Sequence, residues 1–100
     1  MSFVRSSSFA DLLRPSGLTD GECRSIHDVA YRLMVDDRSL GVGEVEEEGG
    51  GKNVFVLDIH GNRYTFARNV GTYLLFDPVF RIVAVSRQFD DVLEALGSRF

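Results

Sequence analysis

The chain holds a single cysteine, Cys23, so it cannot close a disulfide within itself. A lone thiol suits a reducing compartment better than an oxidising one, and the expected location is cytoplasmic. The opening residues, Met1 to Arg5 followed by three serines, lack the apolar stretch of a secretory signal. No apolar run approaches the ~18 residues that a membrane span needs. Basic charge is also scarce: 11 Lys and Arg stand against 15 Asp and Glu, for a net charge of −4. Nucleic acids and anionic membranes both attract a basic face, so neither is an expected partner.

The negative excess has a place. Residues 1–39 carry five arginines against six acids, and residues 54–100 carry five against five. Residues 40–53 set Lys52 against Glu44, Glu46, Glu47 and Glu48, and so hold most of the excess. What remains is a folding composition: 100 residues, 44% apolar and 26% charged, with eight phenylalanines. That length and content fit one domain with one core and no covalent staples.

Local signals predict an α+β fold. Ser8 to Leu13 starts with a capping residue and spaces its apolar positions i, i+3, i+4 before Pro15 and Gly17, which predicts a short helix over about 8–14. Thr19-Asp20-Gly21-Glu22 is a capping box, in which hydroxyl and carboxylate each reach the other residue's amide. Behind it Cys23, Ile26, Val29, Ala30, Leu33 and Met34 form one apolar stripe, predicting a long helix over about 20–36. Asp36-Asp37 with Arg38 reads as its terminus.

From residue 40 the period falls to two. Leu40 and Val42 suggest a weak edge strand, and residues 44–53 read as a mobile linker. Strands follow at 54–59, 63–68, 72–76 and 80–86, with turns at His60-Gly61-Asn62, Asn69-Val70-Gly71 and Asp77-Pro78. Connections this short exclude crossover helices, so the expected sheet is an antiparallel meander of four to five strands over about 40–86. Ser86 as cap, Asp90 and Asp91 in the first turn and Gly97 as terminator predict a last helix over about 88–96.

Several chemistries can be weighed against these structural roles. Gly50-Gly51-Lys52 lacks both the upstream glycine of a phosphate loop, whose place Glu46 takes, and the Ser or Thr after the lysine, whose place Asn53 takes. Cys23 and His27 stand i, i+4, a spacing that can hold a metal or build a nucleophile pair, with His60 as the remaining histidine. Cys23 also belongs to the apolar stripe, and His-Gly-Asn is ordinary turn chemistry. Asp36-Asp37 and Asp90-Asp91 are adjacent on helices and diverge by about 100°, so neither pair converges on one atom. Tyr64, Phe66 and Tyr73 have few basic neighbours, unlike an RNA-stacking sheet.

The function expected is therefore a non-catalytic protein-binding module, in the manner of a small inhibitor, immunity-type protein, chaperone or regulatory protein. It needs no cofactor and no metal. The acidic helix and Asn-Gly turn of immunity proteins are not found. The alternative is a small enzyme or metal protein using Cys23, His27 and His60, and nucleic-acid binding ranks third. Partner contact is expected at Glu44, Glu46, Glu47 and Glu48 and at Tyr73 and Leu75. Both parities of the strands are largely apolar, whereas a half-exposed antiparallel sheet alternates apolar with polar. One sheet face should then be covered by another chain, and a homodimer is expected.

Overall fold

The computed structural model describes residues 17–46 and 51–100. The short helix expected over 8–14 lies outside these residues, and a single helix precedes the sheet among them. That helix, α1, spans Asp20–Val35 and starts on the capping box: Glu22 N–H donates to Thr19 Oγ1 at 3.2 Å, and Thr19 N–H donates to Glu22 Oε1 at 2.8 Å. It buries Cys23, Ile26, Ala30 and Leu33, four members of the expected stripe. Its end is a Schellman closure. Arg38 N–H reaches the Leu33 carbonyl at 2.7 Å and Asp37 N–H the Met34 carbonyl at 3.0 Å, with Asp37 at φ 58° in the place usually given to glycine.

Five strands follow: β1 (Ser39–Glu46), β2 (Lys52–Asp58), β3 (Arg63–Asn69), β4 (Thr72–Phe76) and β5 (Ile82–Ser86), in the order β1-β2-β3-β4-β5 and all antiparallel. Strand β1 is longer than its sequence suggests. Glu44, Val45 and Glu46 pair with Val54, Asn53 and Lys52, so the ladder takes up half of the segment expected to be a mobile linker. Residues 47–50 of that segment lie outside the described ones.

The turns follow their chemistry. Asp58 Oδ1 accepts the amides of His60 and Asn62, at 2.8 and 2.9 Å, and Gly61 takes φ 82°. Burial pushes the Asp58 carboxyl up, but the amides and side chain of Asn62 and the amide of His60 outweigh it and hold the pKa below the usual value. Between β3 and β4, Val70 and Gly71 have φ 48° and 76°, the positive values that a mirror-image two-residue hairpin requires.

Helix α2 spans Phe89–Arg99, capped by Gln88. Two expectations are corrected here. Ser86 does not cap the helix directly: its hydroxyl donates to Asp91 Oδ2 at 2.6 Å and accepts the Gln88 amide at 3.0 Å. Gly97 does not end the helix, because contacts beyond it hold the last turn. The Phe100 ring packs 5.3 Å from Tyr64, and Arg38 Nε donates to the Phe100 carbonyl at 2.9 Å.

Both helices lie on one face of the sheet, α1 over β1 and β2, α2 over β4 and β5. The register Val54–Phe66–Leu75 runs across this face, and those side chains with Val56 join Ile26, Ala30, Leu33, Val92 and Leu96 in one core. No helix among the described residues is long and apolar enough to cross a membrane.

Candidate functional site

The residues singled out from sequence fall in three places. Leu75 is fully buried beneath the helices. Tyr73 is on the same covered face, its ring 5.4 Å from Phe89 and its hydroxyl donating to Glu22. Parity alone could not say which set the helices would cover, and these two belong to the covered one. Glu44 and Glu46 lie on β1, Glu46 exposed, while Glu47 and Glu48 are outside the described residues.

Around Glu44 a polar cluster ties β1 to α1 and β2. His27 Nε2 lies 2.8 Å from Glu44 Oε2, and Lys52 Nζ lies 3.6 Å from both Glu44 Oε1 and Asp20 Oδ1. Glu44 and then Asp20 raise the lysine's pKa. Cys23 is buried beside this cluster. Desolvation first, then the charge of Glu44, pushes its thiol above the ordinary value. A nucleophile or thiolate ligand needs the opposite shift. His60 is elsewhere, bordering a hollow of about 260 Å³ with Asp37, Arg38, Asp58 and Phe100 beyond the far end of α1. Cys23, His27 and His60 are therefore not brought together. Among the described residues no three His, Cys, Asp or Glu side chains are grouped to hold a metal ion.

The other face of the sheet carries no helix among the described residues. Phe55 and Leu57, Thr65 and Ala67, Leu74 and Phe76 point there, opposite in parity to the buried set. Its two ends differ. Near β1, Phe55 lies across Gly43, where even a Cβ would collide with the ring, and the Arg63 guanidinium caps it 3.8 Å from its centroid. Near β5 nothing comparable is found among the described residues. A bulge at Val83 sets Ala84 opposite Leu75 on the covered face, yet leaves Ile82 opposite Phe76 and Val85 opposite Leu74 on the open one. That bulge overturns the simple alternation in which Phe80, Ile82 and Ala84 share a side.

The loop before β5 enlarges this apolar corner. Asp77, itself buried, accepts the amides of Val79 and Arg81 on Oδ1 at 2.9 and 2.8 Å, and Arg81 Nε on Oδ2 at 3.1 Å. The Arg81 amide is the largest of the influences that lower the carboxyl's pKa. The knot presents Val79 and Phe80 outward. Phe80 is 68% exposed, its ring 6.4 Å from Phe76, and its φ is 63°. A bulky side chain in that backbone region is strained by about 1–2 kcal/mol. Val79, Phe80, Ile82 and Val85 are all more than half exposed within seven consecutive positions. The other large exposed apolar groups, such as Tyr31, Val35 and Val70, are dispersed. Sequence reasoning passed over this corner. Its signal was two bulky apolar residues directly after Asp77-Pro78, where turn chemistry favours polar ones.

Comparison with known proteins brings no relative to this arrangement: no family model, no curated protein and no solved structure matches the chain.

Proposed function

We propose that the protein is a non-catalytic binding module that acts by protein–protein contact through the open sheet face and its β4–β5 corner. The observation that carries this reading is the cluster of Val79, Phe80, Ile82 and Val85 beside half-buried Leu74 and Phe76. Contiguous apolar surface of this kind on a small domain is characteristic of an interaction site. Each large side chain covered by a partner contributes roughly 1.5–3 kcal/mol. The matching partner is a protein with a flat apolar surface of its own, and inhibitor, chaperone and regulatory roles all use such contacts. The buried lone thiol suits the cytoplasm as the place of action.

A second docking element, the acidic edge of β1, is a weaker candidate because Glu44 is already engaged by His27 and Lys52. Quantitative affinity capture from the native host separates the two. Leu74→Lys charges the centre of the open face, and Glu46→Lys reverses the β1 edge. A partner in fixed stoichiometry should be lost with Leu74→Lys and kept with Glu46→Lys, both variants retaining the native circular dichroism. Loss with Glu46→Lys alone, stronger at low salt, would move the site to the acidic edge. Indifference to both would sink the docking reading.

A further inference from the structure

The sheet has two edges, and one carries far fewer of the devices that normally keep strands apart. Edge strands carry rows of unpaired amides and carbonyls, and proteins blunt them with charge, proline, glycine-rich backbone or bulges. Strand β1 has such protection: Leu40 is bulged out, Gly41 and Gly43 follow, and a twofold self-pairing centred on Glu44, Val45 or Glu46 would set glutamate against glutamate. Strand β5 has one bulge, at Val83, but reads Ile82-Val83-Ala84-Val85-Ser86, with no charge, proline or glycine. It pairs with β4 on one side and with no strand on the other among the described residues.

We infer that the chain forms a twofold dimer in which the free edges of β5 pair antiparallel, joining two five-stranded sheets into one of ten strands. Three observations favour a second copy of this chain as the occupant. The first is charge. Arg81 and Arg87 bracket the strand, and a twofold centred on Ala84 would set Arg81 against Arg87 of the other copy. Centring on Val85 instead sets Val85 against its own copy, Ala84 against Ser86 and Arg87 against Val83. That register keeps Ala84 and Ser86 on the covered face and Val85 on the open one, and it opposes no like charges.

The second observation is space. Helix α2 packs over both β4 and β5, so its axis stands inside the edge. Strands lie ~4.8 Å apart, and two such helices across a β5–β5 seam come roughly 10 Å apart, the spacing at which helices pack. The third is contact. In the register centred on Val85, that side chain, more than half exposed in one copy, meets its counterpart across the seam and is covered by it in part. The strand backbone and the flank of α2 supply further contact. A twofold normal to the sheet keeps both open faces on one side, so the dimer presents a continuous platform twice as long. The dimer goes beyond the docking reading and does not depend on it: it uses the backbone edge of β5, the docking reading uses the open face, and Val85 borders both.

Sedimentation across micromolar concentrations tests it, with amide exchange on the same samples. The native chain should associate to a dimer, and exchange at Ile82–Ser86 should slow as concentration rises while exchange in β1 does not. Lysines at the two exposed positions, in the double variant Ile82→Lys/Val85→Lys, should weaken association by roughly tenfold or more with the melting temperature of the dilute protein unchanged. A chain monomeric throughout, a dimer that survives both lysines, or a dimer that protects β1 or leaves the β5 amides open would overturn the inference. The exchange arm uses the native chain alone, so the question stays decidable even if the lysine variant folds poorly.

Discussion

Strand β1 meets solvent with a bulge, two glycines and two glutamates, and the phenylalanine beside it is sandwiched between Gly43 and Arg63. Strand β5 meets it with five uncharged residues, and the phenylalanine before it stands in water on a strained backbone. Both edges belong to the same sheet, under the same pair of helices. At the β1 end, the large aromatic is covered from within the chain, although Leu40 and Val45 remain exposed. At the β5 end, a buried aspartate and its three side-chain hydrogen bonds are spent on holding apolar groups outward. The contrast separates what the fold needs from what the fold displays.

If the β1 half is the self-sufficient one, breaking its closure should cost the whole domain. Gly17 is the place to do so. It sits at φ 101° where β2 begins and β3 ends: its amide donates to the Arg68 carbonyl at 3.0 Å, and its carbonyl accepts Arg68 Nε at 2.8 Å. Leu18 continues the strap, donating to the Lys52 carbonyl at 2.8 Å. A Cβ at residue 17 would drive into the backbone of Gly51 and Lys52, which cannot give way as a side-chain tip can. Gly17→Ala should therefore lower global stability by roughly 2–4 kcal/mol, combining left-handed strain with backbone displacement. Chemical denaturation checks this. A loss of under ~1 kcal/mol would mean that the strap adds little to the fold.

The same blow at the other end should stay local. Asp77→Asn keeps one oxygen for the amides of Val79 and Arg81 but loses the charge and turns an amide group toward Arg81 Nε. Melting temperature should fall modestly, while amide exchange at residues 79–81 accelerates more than exchange in the core. The pH dependence has a definite sign. The folded pKa of Asp77 lies below the unfolded one, so its contribution is complete above about pH 4 and is lost as pH falls through the folded value. The acid limb of stability against pH should be shallower in Asp77→Asn than in the native chain. It should not vanish, because the Asp58 carboxyl is lowered as well. An unchanged limb would remove Asp77 from the account of this turn.

How much of this could be read in advance divides along the same line. Helix α1 was legible to within a residue at its end, because a capping box and a 3.6-residue stripe are local signals that the packing reinforced. The meander was legible because its turns are short and their residues specific. What the residues did not disclose was non-local. Leu75 and Leu74 are adjacent and alike, and only the position of the helices makes one core and the other surface. The bulge at Val83 reverses parity inside β5 without any glycine to mark it. Gly97 looked like a helix end, but the contacts of Phe100 with Tyr64 and Arg38 lie far off in sequence. The candidate site was missed for a related reason: the acidic run drew attention by its charge, while the apolar turn after Pro78 reads as strand until its backbone is seen.

The smallest effect gives the finest comparison. Val70 and Phe80 are both bulky residues held at positive φ, 48° and 63°. Val70 belongs to a hairpin that would serve as well with asparagine, the residue best suited to that backbone beside Gly71. Phe80 belongs to the displayed corner, where strain is a common companion of function. Val70→Asn and Phe80→Asn should each relieve strain and raise stability by about 1 kcal/mol, since the left-handed region costs an ordinary side chain 1–2 kcal/mol and asparagine less. The two variants should then part company. Val70→Asn should leave self-association and partner capture untouched, because its turn lies at the other end of β4. Phe80→Asn should weaken one or both, trading recognition for stability. Thermal melts at low concentration, set beside sedimentation and capture, read the two quantities separately. If Phe80→Asn is more stable and binds as well as the native chain, the strained aromatic is an accident of the turn and the corner loses its claim to be a site.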